Sequence, residues 1–98
     1  MATYPNGYTG SKSNIHLTPV QLTTDSHKLS EGVQVLAAMA NNGTVYVGIG
    51  NTITANGGDS TTGFPLASGD SILLPIRTLT DVFVVGSASG QKVWWAAF

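Results

Sequence analysis

Hydrophobic and polar residues alternate along most of the chain in short runs, each closed by turn residues, which is the pattern of an all-β domain. Val20 and Leu22 alternate with Gln21 and Thr23, and Val33, Val35 and Ala37 alternate with Gln34, Leu36 and Ala38. The span Leu29 to Ala40 also has the length of a helix of about three turns, but Gly32 and the β-branched valines favour strand. Asn41-Asn42-Gly43-Thr44 follows and carries an Asn-Gly pair. That pair suits a two-residue hairpin turn, whose central residues both need positive φ, so a β-hairpin into Val45-Tyr46-Val47-Gly48-Ile49 is expected.

Gly50 to Gly63 holds four glycines, many hydroxyls and little to bury except Ile53, and reads as a long loop with at most a short strand at Thr52 to Thr54. Phe64-Pro65-Leu66 re-enters the core, Ala67-Ser68-Gly69-Asp70 turns, and Ser71 to Ile76 forms a strand with Ile72, Leu74 and Ile76 on one face. Pro75 cannot donate to a ladder, which pushes that strand to a sheet edge. A turn at Thr78 to Asp81 leads into Val82-Phe83-Val84-Val85-Gly86, and Ser87 to Gly90 turns again into Lys92 to Phe98, a last hairpin. Residues 1–14 show neither period and carry only Tyr4 and Tyr8 as aromatic side chains. The expected fold is a small antiparallel β-sandwich or barrel of about six to seven strands over residues 15–98, preceded by an extended N-terminal arm over residues 1–14.

Composition sharpens this. The chain has 98 residues, room for one domain, and 42% of them are apolar while only 9% are charged. The shortfall against the roughly 25% charge of ordinary soluble domains is made up by hydroxyl and amide side chains, a surface poorly protected against association. Without cysteine there is no disulfide or thiolate metal site, so oligomerisation or docking on a larger body is the remaining support for a small core. A net charge of −1 cannot supply the basic stripe that phosphate binding needs, so nucleic acid is not an expected partner. No apolar run has the length of a membrane span, and the start Met1 to Asn6 lacks the basic and apolar regions of a signal peptide.

Candidate chemistry is sparse. Asp25, His27 and Glu31 lie close in sequence, yet a metal site needs three or four converging ligands and no paired-histidine spacing is present. No serine has an activating context, Gly48-Ile49-Gly50 lacks the third glycine and helix of a dinucleotide site, and Asn42-Gly43-Thr44 is explained by its turn. Neither enzymatic activity nor a cofactor is expected.

The aromatic residues point outward instead. Neighbouring side chains on a strand face opposite ways, so Trp94 and Trp95 cannot both enter one core. Val82 to Val85 is apolar on both faces and calls for cover on two sides, either from the chain's own loop or arm or from another subunit. A subunit interface would also account for the scarcity of charge.

Four runs, Lys28 to Val33, Asn42 to Gly48, Gly63 to Ser71 and Val84 to Val93, taken in this order, resemble a family of small β-structured virion proteins of tailed bacteriophages, and the chain is most similar to capsid decoration (cement) proteins. The resemblance implies a structural protein on the outer surface of a phage head, made in the host cytoplasm, acting as a homo-oligomer, a trimer in the manner of the family, on the major capsid protein. It also admits a tail, collar or fibre component that binds a receptor or carbohydrate. The residues expected at interfaces are Tyr4, Tyr8, Phe83, Trp94, Trp95 and Phe98.

Overall fold

The structure, a computed structural model, describes residues 8–54 and 62–98. Its strands are β1 (Tyr8–Ile15), β2 (Val20–Gln21), β3 (Val33–Ala37), β4 (Val45–Ile49), β5 (Phe64–Leu66), β6 (Ser71–Leu74), β7 (Val82–Gly86) and β8 (Gln91–Ala97), with a 3₁₀ turn at Leu79–Asp81. All pairings are antiparallel. They form two four-stranded sheets, a front sheet in the order β1-β8-β3-β6 and a back sheet in the order β2-β7-β4-β5. The all-β sandwich expected from the alternation is present. Its strand order, with successive strands switching sheets everywhere except between β4 and β5, is the jelly-roll arrangement.

Alternation explains the core. Val33, Val35, Ala37, Val93, Trp95 and Ala97 on the inner face of the front sheet meet Val45, Val47, Leu66, Val82 and Val84 on that of the back sheet, and Ile15, Leu22, Leu29 and Leu79 complete the cluster. Pro75 directly follows β6, which is an edge strand as its sequence suggests.

Part of the expected arm is a strand. Tyr8–Ile15 is extended but lies along β8, while residues 1–7 are outside the described residues. The strand leaves little hydrophobic signal because its inward positions before the bulge are Tyr8, Gly10 and Lys12, paired with Ala97, Trp95 and Val93, and only the first carries a large apolar ring. Gly10 is a requirement of packing: a Cβ there would stand 2.6 Å from Cζ2 of the Trp95 indole, which fills the space. Further along, the register shifts between Lys12 and Ile15. Asn14 takes up the extra residue at φ 55°, a left-handed backbone that asparagine tolerates better than most side chains. The bulge turns Ile15 from the outer to the inner face, where it is fully buried.

The two expected hairpins are crossovers. β3 and β8 belong to the front sheet, β4 and β7 to the back sheet, so residues 38–44 and 87–90 connect sheets rather than neighbouring strands. Gly43 lacks the positive φ of a type I′ turn; instead its missing side chain admits Ser87, whose Oγ would be 2.9 Å from a Cβ. The connections 16–19 and 67–70 reach the same end, where polar groups bind the crossovers together. The buried Gln91 side chain accepts from the Gly43 N–H at 3.0 Å and donates to Asn42 Oδ1 at 2.6 Å and the Ser89 carbonyl at 2.9 Å. Asn41 pairs its amide with the backbone of Lys92, both bonds 2.9 Å, and its carbonyl accepts from Ser68 Oγ at 2.8 Å. His16 accepts from the Gly86 N–H through its carbonyl at 2.7 Å and from the Gly90 N–H through Nδ1 at 3.1 Å.

Two outcomes follow from this arrangement. Gln91→Leu keeps the volume but leaves the Gly43 N–H and Asn42 side chain without their partner, and should lower the unfolding free energy by roughly 2–4 kcal/mol in a denaturant titration. Deleting residues 1–14 removes β1 and uncovers Trp95, with an expected fall in melting temperature of about 10 °C or more by calorimetry. An unchanged melting temperature would refute the placement of β1.

Candidate functional site

The outer faces of the two sheets differ. On the back sheet the chain covers itself: Ile53 packs over Gly48, where no Cβ could fit, and Tyr46 is approached by Gly63. The loop base is held by reciprocal bonds, Thr54 N–H to Thr62 Oγ1 at 3.1 Å and Thr62 N–H to Thr54 Oγ1 at 3.0 Å. No strand forms at residues 52–54. Leu17, Pro19, Ile53 and Val85 line one small concavity on this side, and Val85 is buried although it points away from the core. The two-sided apolar character of β7 is therefore met by the chain's own segments.

On the front sheet no described residue plays that part. Register brings two outward rows together, Thr9, Ala96, Gln34 and Leu73 in one and Ser11, Trp94, Leu36 and Ser71 in the other. Small side chains make the floor, and an open groove of about 630 Å³ runs between Trp94, Leu36, Gln34, Ser71, Thr9 and Ser11. Trp94, Leu36 and Leu73 are substantially exposed. Gln34 Nε2 donates to Ser71 Oγ at 3.3 Å across the groove. The Lys92 ammonium stands 4.6 Å from the centroid of the Trp94 ring and restrains the indole by a cation–π contact.

The sheet edges are poor alternatives for association. β1 carries a bulge and the inward-facing Lys12, β5 contains Pro65, β6 is followed by Pro75, and β2 is two residues long with Pro19 before it. Each of these devices discourages an added strand, which leaves the faces and ends of the sandwich for contacts.

Of the residues expected at interfaces, Tyr4 lies outside the described residues. Trp94 is 44% exposed on the groove and Trp95 is 6% exposed in the core, so the two indoles do face opposite ways. Trp95 is thus a packing residue, and its Nε1–H, buried beside Gly10, has no hydrogen-bond partner among the described residues. Phe83 is half-buried on the outer face of the back sheet. Tyr8 and Phe98 are about equally exposed, at 40% and 43%, at the opposite end from the clustered crossovers. Tyr8 also stacks on His27 with ring centroids 3.6 Å apart, so this histidine serves a contact between β1 and the β2–β3 connection. Among the described residues no group of three or more His, Cys, Asp or Glu side chains is placed to hold a metal ion, and no helix is long and apolar enough to cross a membrane.

Leu36, Leu73, Gln34 and Ser71 were not singled out from sequence. The signal available was the outward parity of Gln34 and Leu36 in a confident strand; which strands flank β3 was needed to join them to Trp94. No family model, curated protein or solved structure matches the chain.

Truncation separates the two indoles. Trp95→Ala opens a core cavity and should cost about 3–5 kcal/mol, while Trp94→Ala should cost under about 1 kcal/mol. Equilibrium unfolding of both variants checks this, and similar losses would contradict the assignment of faces.

Proposed function

We propose that the chain is a structural, non-catalytic virion protein that decorates the outside of a phage head, in the setting that the resemblance of its four runs implies. The observation that carries the reading is the end of the sandwich where β1 begins and β8 finishes. Tyr8 and Phe98 are exposed there, and Ile49 and Phe64 are exposed on the back sheet, large apolar side chains in a surface so poor in charge. Charge-poor, aromatic surfaces suit contact with other subunits. Jelly rolls also build viral capsid domains, a likeness of fold that agrees with the setting while the exposed end supplies the function.

In this reading the chain, as a homo-oligomer and in the family's manner a trimer, lies with that end on the major capsid protein. It stabilises the shell by burying apolar area at about 25 cal/mol per Å², less the cost of ordering. No turnover takes part. A second reading, a tail, collar or fibre component that binds carbohydrate, is favoured by a separate observation, the uncharged groove beside Trp94.

The test is cosedimentation of the isolated chain with undecorated heads of the phage that encodes it, followed by electron cryomicroscopy. The reading expects density on the outer head surface with the Tyr8 and Phe98 end against the shell, and at least tenfold weaker binding for the Tyr8→Ala, Phe98→Ala double variant at unchanged fold. Absence of binding to heads, or density confined to the tail or collar, would overturn it.

A further inference from the structure

We infer that the groove on the outer face of the front sheet is a binding site for a neutral carbohydrate. This develops the second of the two readings above and holds whether the chain sits on a head or a tail. Two kinds of surface meet there. Trp94 and Leu36 offer apolar area, and Gln34, Ser71, Ser11 and Thr9 offer amide and hydroxyl groups from three neighbouring strands.

A ligand must satisfy both. A purely apolar occupant would cover the Thr9 and Ser11 hydroxyls and the Gln34 amide oxygen without pairing them, which carries a desolvation cost. A cationic occupant would find no countercharge among the residues lining the groove, and the one cation beside it, Lys92, is engaged by the Trp94 ring. A hexopyranose meets both demands: its C–H face is weakly positive and lies well on the electron-rich indole face, and its equatorial hydroxyls both donate and accept, as the Gln34 amide and the serines do. The volume of about 630 Å³ falls within the roughly 300–1,000 Å³ of small-ligand sites.

The indole is also held for the purpose. Lys92 precedes Trp94 by two residues on the same face of β8 and covers the ring from that side at 4.6 Å. The groove continues on the other side, past Ala96 toward Gln34. Ala96 and Ser71 keep the floor low enough for a sugar ring to approach the indole, where the longer side chains usual on a solvent-facing sheet would fill the space.

The test uses the full-length chain in the absence of any particle, so that its result is independent of capsid binding. Maltotriose, lactose, mannotriose and chitotriose, with sialyllactose as an acidic comparison, are titrated while tryptophan fluorescence is followed. Light scattering is recorded in parallel. At least one neutral oligosaccharide should bind and shift the emission, with an affinity little affected by salt. Trp94→Ala should weaken that binding about tenfold or more and Gln34→Ala by several-fold, both with melting temperatures close to that of the parent chain. Binding of none of the neutral sugars, preference for sialyllactose with strong salt dependence, or undiminished binding by Trp94→Ala would each overturn the inference. So would a dimer that Trp94→Ala dissociates, because the face would then belong to a second copy of the chain.

Discussion

The sandwich depends on one buried amide. Gln91 opens β8, the strand that holds β1 on one side and β3 on the other, and its side chain ties the β3–β4 crossover to the β7–β8 crossover. In a jelly roll the sheets are joined by connections that must leave one layer and enter the other, and each exposes backbone groups that no ladder satisfies. Gln91, Asn41 and Ser87 supply the missing partners: Asn41 continues the pairing of β8 beyond β3, and Ser87 exchanges bonds with Thr44. The amide is neutral, so the end of the sandwich can be closed without the desolvation cost of a buried ion pair. This economy in charge fits a chain with so few ionisable groups.

The same arrangement gives a structural meaning to several of the turn runs. Asn42-Gly43-Thr44 and Ser87 to Gln91, far apart in sequence, contact one another directly, and Ser68 joins them through Asn41. Their hydrogen bonds secure the crossovers. Surfaces for partners then have to be sought elsewhere. The back sheet is covered by Ile53 and its neighbours, the sheet edges carry prolines, a bulge and a lysine, and what remains is the front face with Trp94 and the end with Tyr8 and Phe98. A two-layer body whose back is covered by its own segments and whose front face is covered by no described residue can dock by one surface and keep another accessible.

The sequence by itself determined the class of fold, the edge position of β6 and the opposition of Trp94 to Trp95. Each of these follows from local rules: the two-residue period of a strand and the missing N–H of proline. Only the tertiary structure decided that the connections at Asn41–Thr44 and Ser87–Gly90 are crossovers, since an Asn-Gly pair looks the same whether the next strand turns back beside its neighbour or crosses to the facing sheet. Only it placed Tyr8–Ile15 in the front sheet, because a strand whose inward positions before the bulge are Tyr8, Gly10 and Lys12 owes its place to β8 and to the Trp95 indole. The groove was hidden for the same reason. Thr9, Gln34, Ser71 and Trp94 come from four strands dispersed over the whole chain, and their adjacency is set by strand order and register, which depend on long-range pairing that no local pattern contains.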